Sequence, residues 1–425
     1  MAVLTLILLP IVLLAFGAPI YVALIAAAGA GLLATGSAPI DAVHIAMFGG
    51  LDNFPLLAIP LFIFAGEIMG RGGLARRLVE WVLSIIGGVR GSLALATIAS
   101  SELFGAMSGS SVGCVAAIGR LMVPALKNRG YDSAFAGSLI ASCGSIAVII
   151  PPSIPMIIYG IAAQQSVPML FLAGIVPGLL IGVLISVYLL VYARIKIIPL
   201  TDGMRWQNIW ATTRAAVWSL FAPVVILGGI YGGIFTPTEA AGIACIYAIF
   251  VARFIYRELS WQEIWQTALD SALLISQILI IVAAAGAYSW LVTTSGFPAK
   301  LVGLIADQHL QTWLILLTIN VVLLFFGSVL EPPAAILILT PLLAPMMQQA
   351  GVDQIHFGII VTVNLAIGLF MPPFGLNIFA THALFGIPLP QLYRGILPFL
   401  VIYLIALALI TYIPAITLFP LRLMH

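Results

Sequence analysis

Long apolar runs, punctuated by glycine, proline and small polar clusters, dominate this chain. Most of them reach the ~20 residues a helix needs to cross the hydrocarbon of a bilayer. Read this way, full crossings are expected near 3–34, 54–70, 133–163, 170–193, 214–233, 238–256, 270–292, 355–384 and 393–416. The short alternating segments of an outer-membrane barrel do not occur. Two further runs, 91–124 and 312–347, are each split by a polar, Gly or Pro cluster into halves too short to cross comfortably alone. They read as re-entrant hairpins that enter and leave on one side.

A repeat organises these elements. Pro124, Gly130, Asp132, Gly137, Pro151, Pro152, Gly174 and Pro177 match Pro345, Gly351, Asp353, Gly358, Pro372, Pro373, Gly395 and Pro398, every pair separated by 221 positions. Five expected crossings separate equivalent points, and an odd number inverts the second copy. The fold class is therefore an all-α polytopic membrane protein with an inverted repeat, two hairpins and two discontinuous helices. Inverted repeats of this kind build transporter sites near the midplane from broken helices. The chain divides into scaffold helices with a first interfacial arm (1–90), a first repeat unit (91–193), a linker with further scaffold helices and a second arm (194–311), and a second repeat unit (312–425). The arms are the amphipathic stretches Leu74 to Ile86 and Pro298 to Asp307, which either couple the hairpins to the scaffold or are ordinary interfacial helices.

Composition agrees with the pattern: 63% hydrophobic and 7% charged residues exclude a soluble domain of this length. The mean hydropathy is +1.21. No Lys or Arg precedes the first apolar run, so the first helix is expected to be retained. Cys114, Cys143 and Cys245 are scattered without CxxC spacing and read as packing residues. With short-loop basic residues kept inside, the N-terminus is expected to be cytoplasmic and the C-terminus periplasmic, in the inner membrane. Thirteen basic residues then face the cytoplasm: Arg71, Arg76, Arg77, Arg90, Lys127, Arg129, Arg194, Lys196, Arg205, Arg214, Arg253, Arg257 and Arg394. Arg120 falls within the first hairpin, and Lys300 and Arg422 fall outside. A net charge of +2 gives no reason to expect a nucleic-acid partner.

Four polar breaks carry the candidate chemistry. The first hairpin tip contains Gly105, Ser108, Gly109, Ser110, Ser111 and Gly113, which offer hydroxyls and carbonyls to a cation and a half-helix N-terminus to an anion, or else serve close GxxxG packing. The first broken helix reads Gly144, Ser145, then Pro151, Pro152, Ser153 and Pro155. Three prolines so close together cannot continue a helix, and the carbonyls they free need other partners in lipid. The second tip reads Gly327, Ser328, Glu331, Pro332 and Pro333, and the second break Met371, Pro372, Pro373, Gly375 and Asn377. Glu331 is the most conspicuous carboxylate, because an ionisable group near mid-membrane is expensive. It reads as an ion or proton site, or as a cap reaching towards the periplasm. Asn377 either ligates a cation through its amide oxygen or ties down the broken backbone. Glu67, Glu102 and Asp270 are weaker candidates, and Thr236 with Glu239 reads as a helix capping pair. His44, His309, His356, His382 and His425 lack metal-ligand spacing, and neither HExxH nor a phosphate loop occurs. No catalytic constellation is visible, so an enzyme is not expected.

The combined motifs SGSSVG, AAIGRLMVPALKNRGYDSAFA, IIPPSIPMIIYG, GGIFTPTEAAG and PPFGLNIFA, with NFPLLAIPLFIFAGEIM from Asn53 onward, strongly resemble the DctM-like large membrane subunit of tripartite ATP-independent periplasmic (TRAP) transporters. The resemblance runs nearly end to end. It implies an elevator carrier of the ion-transporter superfamily, driven by sodium and importing organic acids such as dicarboxylates or sialic acid. A soluble periplasmic binding protein would deliver them, a small four-helix membrane subunit would complete the scaffold in the lipid, and no organic cofactor would be needed. Carried over, the first sodium site falls on Ser108 and Ser110 with Gly144, Ser145 and Pro151. The second falls on Gly327, Ser328, Glu331, Met371 and Gly375. Substrate carboxylate is expected between the tips, at Ser108, Gly109, Ser110, Ser111, Ser153, Ser328, Pro332 and Asn377, with no dedicated Arg in reach. Many relatives have Thr where this chain has Met371, and a thioether is a poor ligand for a hard cation. The alternatives are a proton-coupled carrier of the same fold and a channel-like anion pore.

Overall fold

The computed structural model describes residues 2–36, 38–199, 203–296 and 311–422. The described residues are helical throughout and contain no strand. Seven helices are long and apolar enough to cross a membrane: Phe54–Arg71, Val167–Ile195, Trp206–Tyr231, Pro237–Ile255, Trp261–Thr294, Thr312–Val329 and Leu389–Tyr412. Each overlaps one of the expected crossings except Thr312–Val329, the first arm of the second hairpin, which is long and apolar enough to cross by itself where the sequence suggested a half too short to do so. Capping follows the sequence: Thr236 and Glu239 form a reciprocal capping box, with the Glu239 amide 3.3 Å from Thr236 Oγ1 and the Thr236 amide 2.8 Å from Glu239 Oε2.

The first hairpin consists of Ser92–Ser108 and Ser111–Asn128, the second of Thr312–Val329 and Pro332–Gln349. The two broken helices are Ser133–Ile146 with Ile154–Ala162, and Gln354–Gly368 with Leu376–Phe385. Helix starts and stops recur at the 221-residue separation. Asp132 and Asp353 are N-caps, Gly130 and Gly351 end the preceding turns at φ of 85° and 76°, and Ser110 and Glu331 are the N-caps of the second hairpin arms. Both Pro-Pro bonds, Pro151-Pro152 and Pro372-Pro373, are cis.

The two units interlock instead of lying side by side. A methyl on Gly137, in the first broken helix, would meet Thr381, Ile387 and Leu392 of the second unit; one on Gly358 would meet Tyr159 and Leu170 of the first. Tyr159 donates to the Gln354 carbonyl (2.9 Å) and Tyr403 to the Ser142 carbonyl (2.6 Å). The second arm of each hairpin packs on the terminal half of the other unit's broken helix. Reciprocal contacts of this kind are what a two-fold relation produces.

Around this pair stands a scaffold. Phe54–Arg71 runs parallel to Pro237–Ile255, with Thr238 donating to the Phe54 carbonyl (3.2 Å) and Cys245 to that of Leu61 (3.1 Å). The amphipathic arm Leu74–Ile86 buries Leu74, Leu78, Val79 and Val82 and lies between Trp206–Tyr231 and the first hairpin. Its polar edge is tied down by Trp81 donating to Thr213 (3.0 Å). The second expected arm, Pro298 to Asp307, lies outside the described residues. Four helices long and apolar enough to cross a membrane, Val167–Ile195 to Trp261–Thr294, lie between the first broken helix and the second hairpin.

The N-terminal expectation needs correction. Residues 3–34 form no single crossing. Ala2–Ala15 and Ile20–Thr35 fold back on one another around Gly17, whose φ is 80°, and Pro19. Hydropathy sees one continuous run because the turn is short and built of Phe16, Gly17, Ala18 and Pro19. Two helices, Ala2–Ala15 and Ile20–Thr35, thus stand where one crossing was expected. A helix missed in the sequence, Asp41–Leu51, follows and packs with Ile20–Thr35 on the far end of Trp261–Thr294.

Among the described glycines, the closest approach to another backbone is at the second tip. A methyl on Gly368 would overlap the Gly327 backbone, whereas one on Gly242 would meet nothing within 4 Å. Gly368→Ala should lower the unfolding midpoint in detergent, at the upper end of the about 1–3 kcal/mol typical of overpacking. Gly242→Ala should leave it unchanged; equal midpoints for the two variants would contradict the packing described.

Candidate functional site

Both tips meet both breaks in one place. The first tip closes on Gly109, in the left-handed region at φ 59°, which returns its amide to the Gly105 carbonyl (3.1 Å). A methyl there would lie 2.6 Å from the Pro152 carbonyl oxygen, so the tip rests directly on the first break. Ser110 caps the second arm by accepting from the Gly113 amide (3.2 Å). At the matching place the second tip has Leu330, extended, followed by Glu331 and Pro332.

A pocket of about 130 Å³ lies between the tips, lined by Gly109, Ser110, Ser111, Ile154, Pro155, Glu331, Pro332 and Leu376, among others. These are the starts of four helices: Ser111–Asn128, Ile154–Ala162, Pro332–Gln349 and Leu376–Phe385. Unsatisfied amides and dipoles at helix N-termini favour negative charge. No basic residue lines the pocket. Glu331 is exposed to it, and its carboxylate has no hydrogen bond or ion pair among the described residues, although its backbone carbonyl accepts from the Ala335 amide (3.0 Å).

Asn377 joins the halves. Its Oδ1 accepts from Ser111 (2.8 Å), and its Nδ2 donates to the Ala141 carbonyl (2.9 Å) and to Ser145 Oγ (3.1 Å). It is fully buried, and Gly144 faces both it and the Ser111 carbonyl. Ser111, Gly144 and Ser145 are thus brought together, but by a residue from the other unit. Ser108 lies one turn away, wholly buried, with a hydroxyl that has no partner among the described residues. A buried orphan hydroxyl beside freed carbonyls is what a cation site offers.

Other expected residues fall elsewhere. Ser153 is buried and spends its hydroxyl on the break itself, donating to the Val148 carbonyl and accepting from the Met156 amide (3.4 Å). Pro151 is in the break under the tip, and Ser328 donates to the Phe325 carbonyl (2.8 Å). Gly327 packs against Asn364 and Leu365, Met371 donates its amide to Gly368, and Gly375 donates its own to Met371 (3.0 Å). Glu67 and Asp270 both pair with Arg71, at 3.3 and 2.9 Å. Glu102 keeps a buried Oε1 without a partner among the described residues.

A buried polar chain in the second unit was not anticipated. Asn364 donates to Asn320 (2.8 Å), Asn320 to Thr411 (3.1 Å), and His356 contacts the Thr411 carbonyl (3.3 Å) and Thr417 (2.7 Å). Asn364 Oδ1 remains without a partner among the described residues, next to the second tip. The available signal was an amide side chain within each of two apolar runs.

Comparison with known proteins adds the lineage. Residues 7–416 match the model of the "Tripartite ATP-independent periplasmic transporter, DctM component" family. The chain is 40% identical over 379 residues, 89% of each chain, to the C4-dicarboxylate TRAP transporter large permease protein DctM of Pseudomonas aeruginosa. It is 37% identical over 417 residues, 98% of this chain and 97% of the other, to the ectoine/5-hydroxyectoine TRAP transporter large permease protein UehC of Ruegeria pomeroyi. The crystal structure of the Alcanivorax borkumensis YdaH transporter shares the fold, with a TM-score of 0.60 at 12% identity over 86% of each chain. An end-to-end family match on a helical membrane fold with paired broken helices makes this chain a member of the DctM family, a large permease component of tripartite ATP-independent periplasmic transporters.

Proposed function

We propose that this permease imports a small organic acid together with sodium, by an elevator movement in which the two hairpins and broken helices slide against the scaffold. The observation that carries the reading is the convergence of four helix N-termini on one pocket that contains a free carboxylate and no basic side chain. Helix ends orient an anion, but its charge beside Glu331 still has to be offset, and a co-bound cation does so in a low-dielectric site. Ser108, Ser110, Gly144, Ser145 and the carbonyls around Pro151 supply one cation site. Gly327, Ser328, Glu331, Met371 and Gly375 supply a second. The substrate carboxylate lies between Ser110, Ser111 and Pro332.

Small residues line the sliding boundary, where Gly66 faces Ser108 and Gly70 faces Ala117. Fourteen basic residues, Arg120 included, lie on the side where the first hairpin opens, which makes it cytoplasmic by the positive-inside rule. The C-terminal Arg422 is then periplasmic. The relatives' family supports delivery by a periplasmic binding protein and a small membrane subunit completing the scaffold. C4-dicarboxylates and related small acids, named for relatives, are the first substrates to test. Proton coupling through Glu331 is the second reading, because that carboxylate stands unpaired in the pocket.

Thermal unfolding of the detergent-purified protein in sodium against potassium, at equal ionic strength, separates these. Sodium should raise the midpoint, by the equivalent of about 2.7 kcal/mol at a hundredfold excess over the dissociation constant. Ser110→Ala and Asn377→Ala should weaken the effect; a protein indifferent to sodium up to molar concentration would sink this coupling and direct attention to Glu331 and pH gradients. Met371→Thr supplies a hydroxyl in place of a thioether, so the sodium concentration for half-maximal stabilisation should fall. An unchanged or higher value would remove Met371 from the second site.

A further inference from the structure

A second, more strongly charged pocket lies further along the second arm of the first hairpin, with Gly113 in its wall where Val112 is in that of the tip pocket. It has a volume of about 230 Å³ and lies between the scaffold helix Phe54–Arg71 and the second arm of the first hairpin. Its walls are small residues, Gly66 and Gly70 on one side and Gly113, Ala116 and Ala117 on the other. Its ends are charged: Glu67 beside Gly113 near the tip, and Arg71, Arg76, Arg120 and Glu258 towards the cytoplasmic side.

The charges are unequally satisfied. Arg71 bridges Glu67 (3.3 Å) and Asp270 (2.9 Å), and Arg76 and Arg77 share Glu258 at 2.5 and 2.6 Å. Among the described residues the Arg120 guanidinium has neither an ion pair nor a hydrogen bond, and it is exposed to this pocket. It is also the basic lining residue that the hairpin itself carries. Ten residues separate it from Ser110 on one helix, about 15 Å at 1.5 Å per residue. Ligand pockets for drug-sized molecules occupy roughly 300–1,000 Å³, so this one suits a smaller guest.

We propose that this pocket is a release-side anion station, in which Arg120, backed by Arg71 and Arg76, receives the carboxylate of a small organic acid as it leaves the tips. The inference rests on the importer reading for its direction, though not for the binding itself. An unpaired guanidinium in a narrow, low-dielectric cleft concentrates anions there. Its exposure keeps the binding weak, as a release step requires. Because Arg120 travels with the hairpin while Arg71 and Arg76 stay with the scaffold, the station exists only when hairpin and scaffold adopt this relative position.

The test uses Ala117→Cys as a reporter inside the pocket, since Cys114, Cys143 and Cys245 are all buried. Its labelling by a neutral thiol reagent is followed in reconstituted membranes, in potassium salts without sodium, with succinate against chloride at equal ionic strength. Succinate should slow labelling more than chloride does. Arg120→Gln should raise the succinate concentration for half-protection by about fivefold or more, as expected for loss of one partly solvated ion pair, and Arg120→Lys should restore most of it. Protection equal in chloride, or unchanged in Arg120→Gln, would overturn the station. Labelling requires no turnover, so a wild type that shows the Arg120-dependent protection but no uptake would uphold the station and count against the importer reading alone.

Discussion

Breaking a helix inside a membrane releases amides and carbonyls that lipid cannot satisfy, and the architecture follows from where those groups find partners. Asn377 carries the central share. From the second unit it binds Ser111 at the first tip, Ser145 on the first broken helix and the Ala141 carbonyl. The remaining breaks are closed locally, by Ser153 on Val148, by the Asn377 amide on Leu369 (2.8 Å) and by Tyr393 on Pro373 (2.9 Å). Leaving such groups unpaired costs about 1–3 kcal/mol each, so tips and breaks hold one another in place.

The same economy explains why two copies are needed. Each broken helix also leans on the other unit, where Gly137 and Gly358 leave room for its side chains. The copies have nevertheless diverged where the chemistry lies. The first tip turns on a left-handed glycine and presents serines, while the second runs extended through Leu330 into Glu331 and two prolines. One tip offers hydroxyls and the other a carboxylate, an asymmetry suited to binding a cation and an anion together.

Charge is distributed in sequence along the proposed route. Helix N-termini line the tip pocket without a basic side chain among them, whereas guanidinium groups line the second pocket. A guanidinium within the tip pocket would hold an acid too firmly to let it go, whereas helix dipoles of partial charge hold it weakly. Small residues, Gly66, Gly70, Gly113 and Ala117, line both walls of the second pocket.

Much was legible in the chain alone. The apolar periods located the long helices, and the repeated Pro-Pro pairs and tip serines located the hairpins and breaks, because prolines and hydroxyls in an apolar run have few other structural uses. The turn at Gly17 escaped notice because its neighbours are as apolar as a helix, and only fold-back packing showed two helices where hydropathy shows one. Asn377 stands out in the sequence, yet its position in the second break gives no hint that its side chain reaches the first tip and the first broken helix. Nor does Arg120, one basic residue among sixteen, declare itself as an arginine left without an ion pair among the described residues of the second pocket. Hydrophobicity and chain stiffness are local quantities that the sequence itself determines; which polar group meets which across 266 residues, as Ser111 meets Asn377, depends on how two inverted units interlock, and only the tertiary structure decides that.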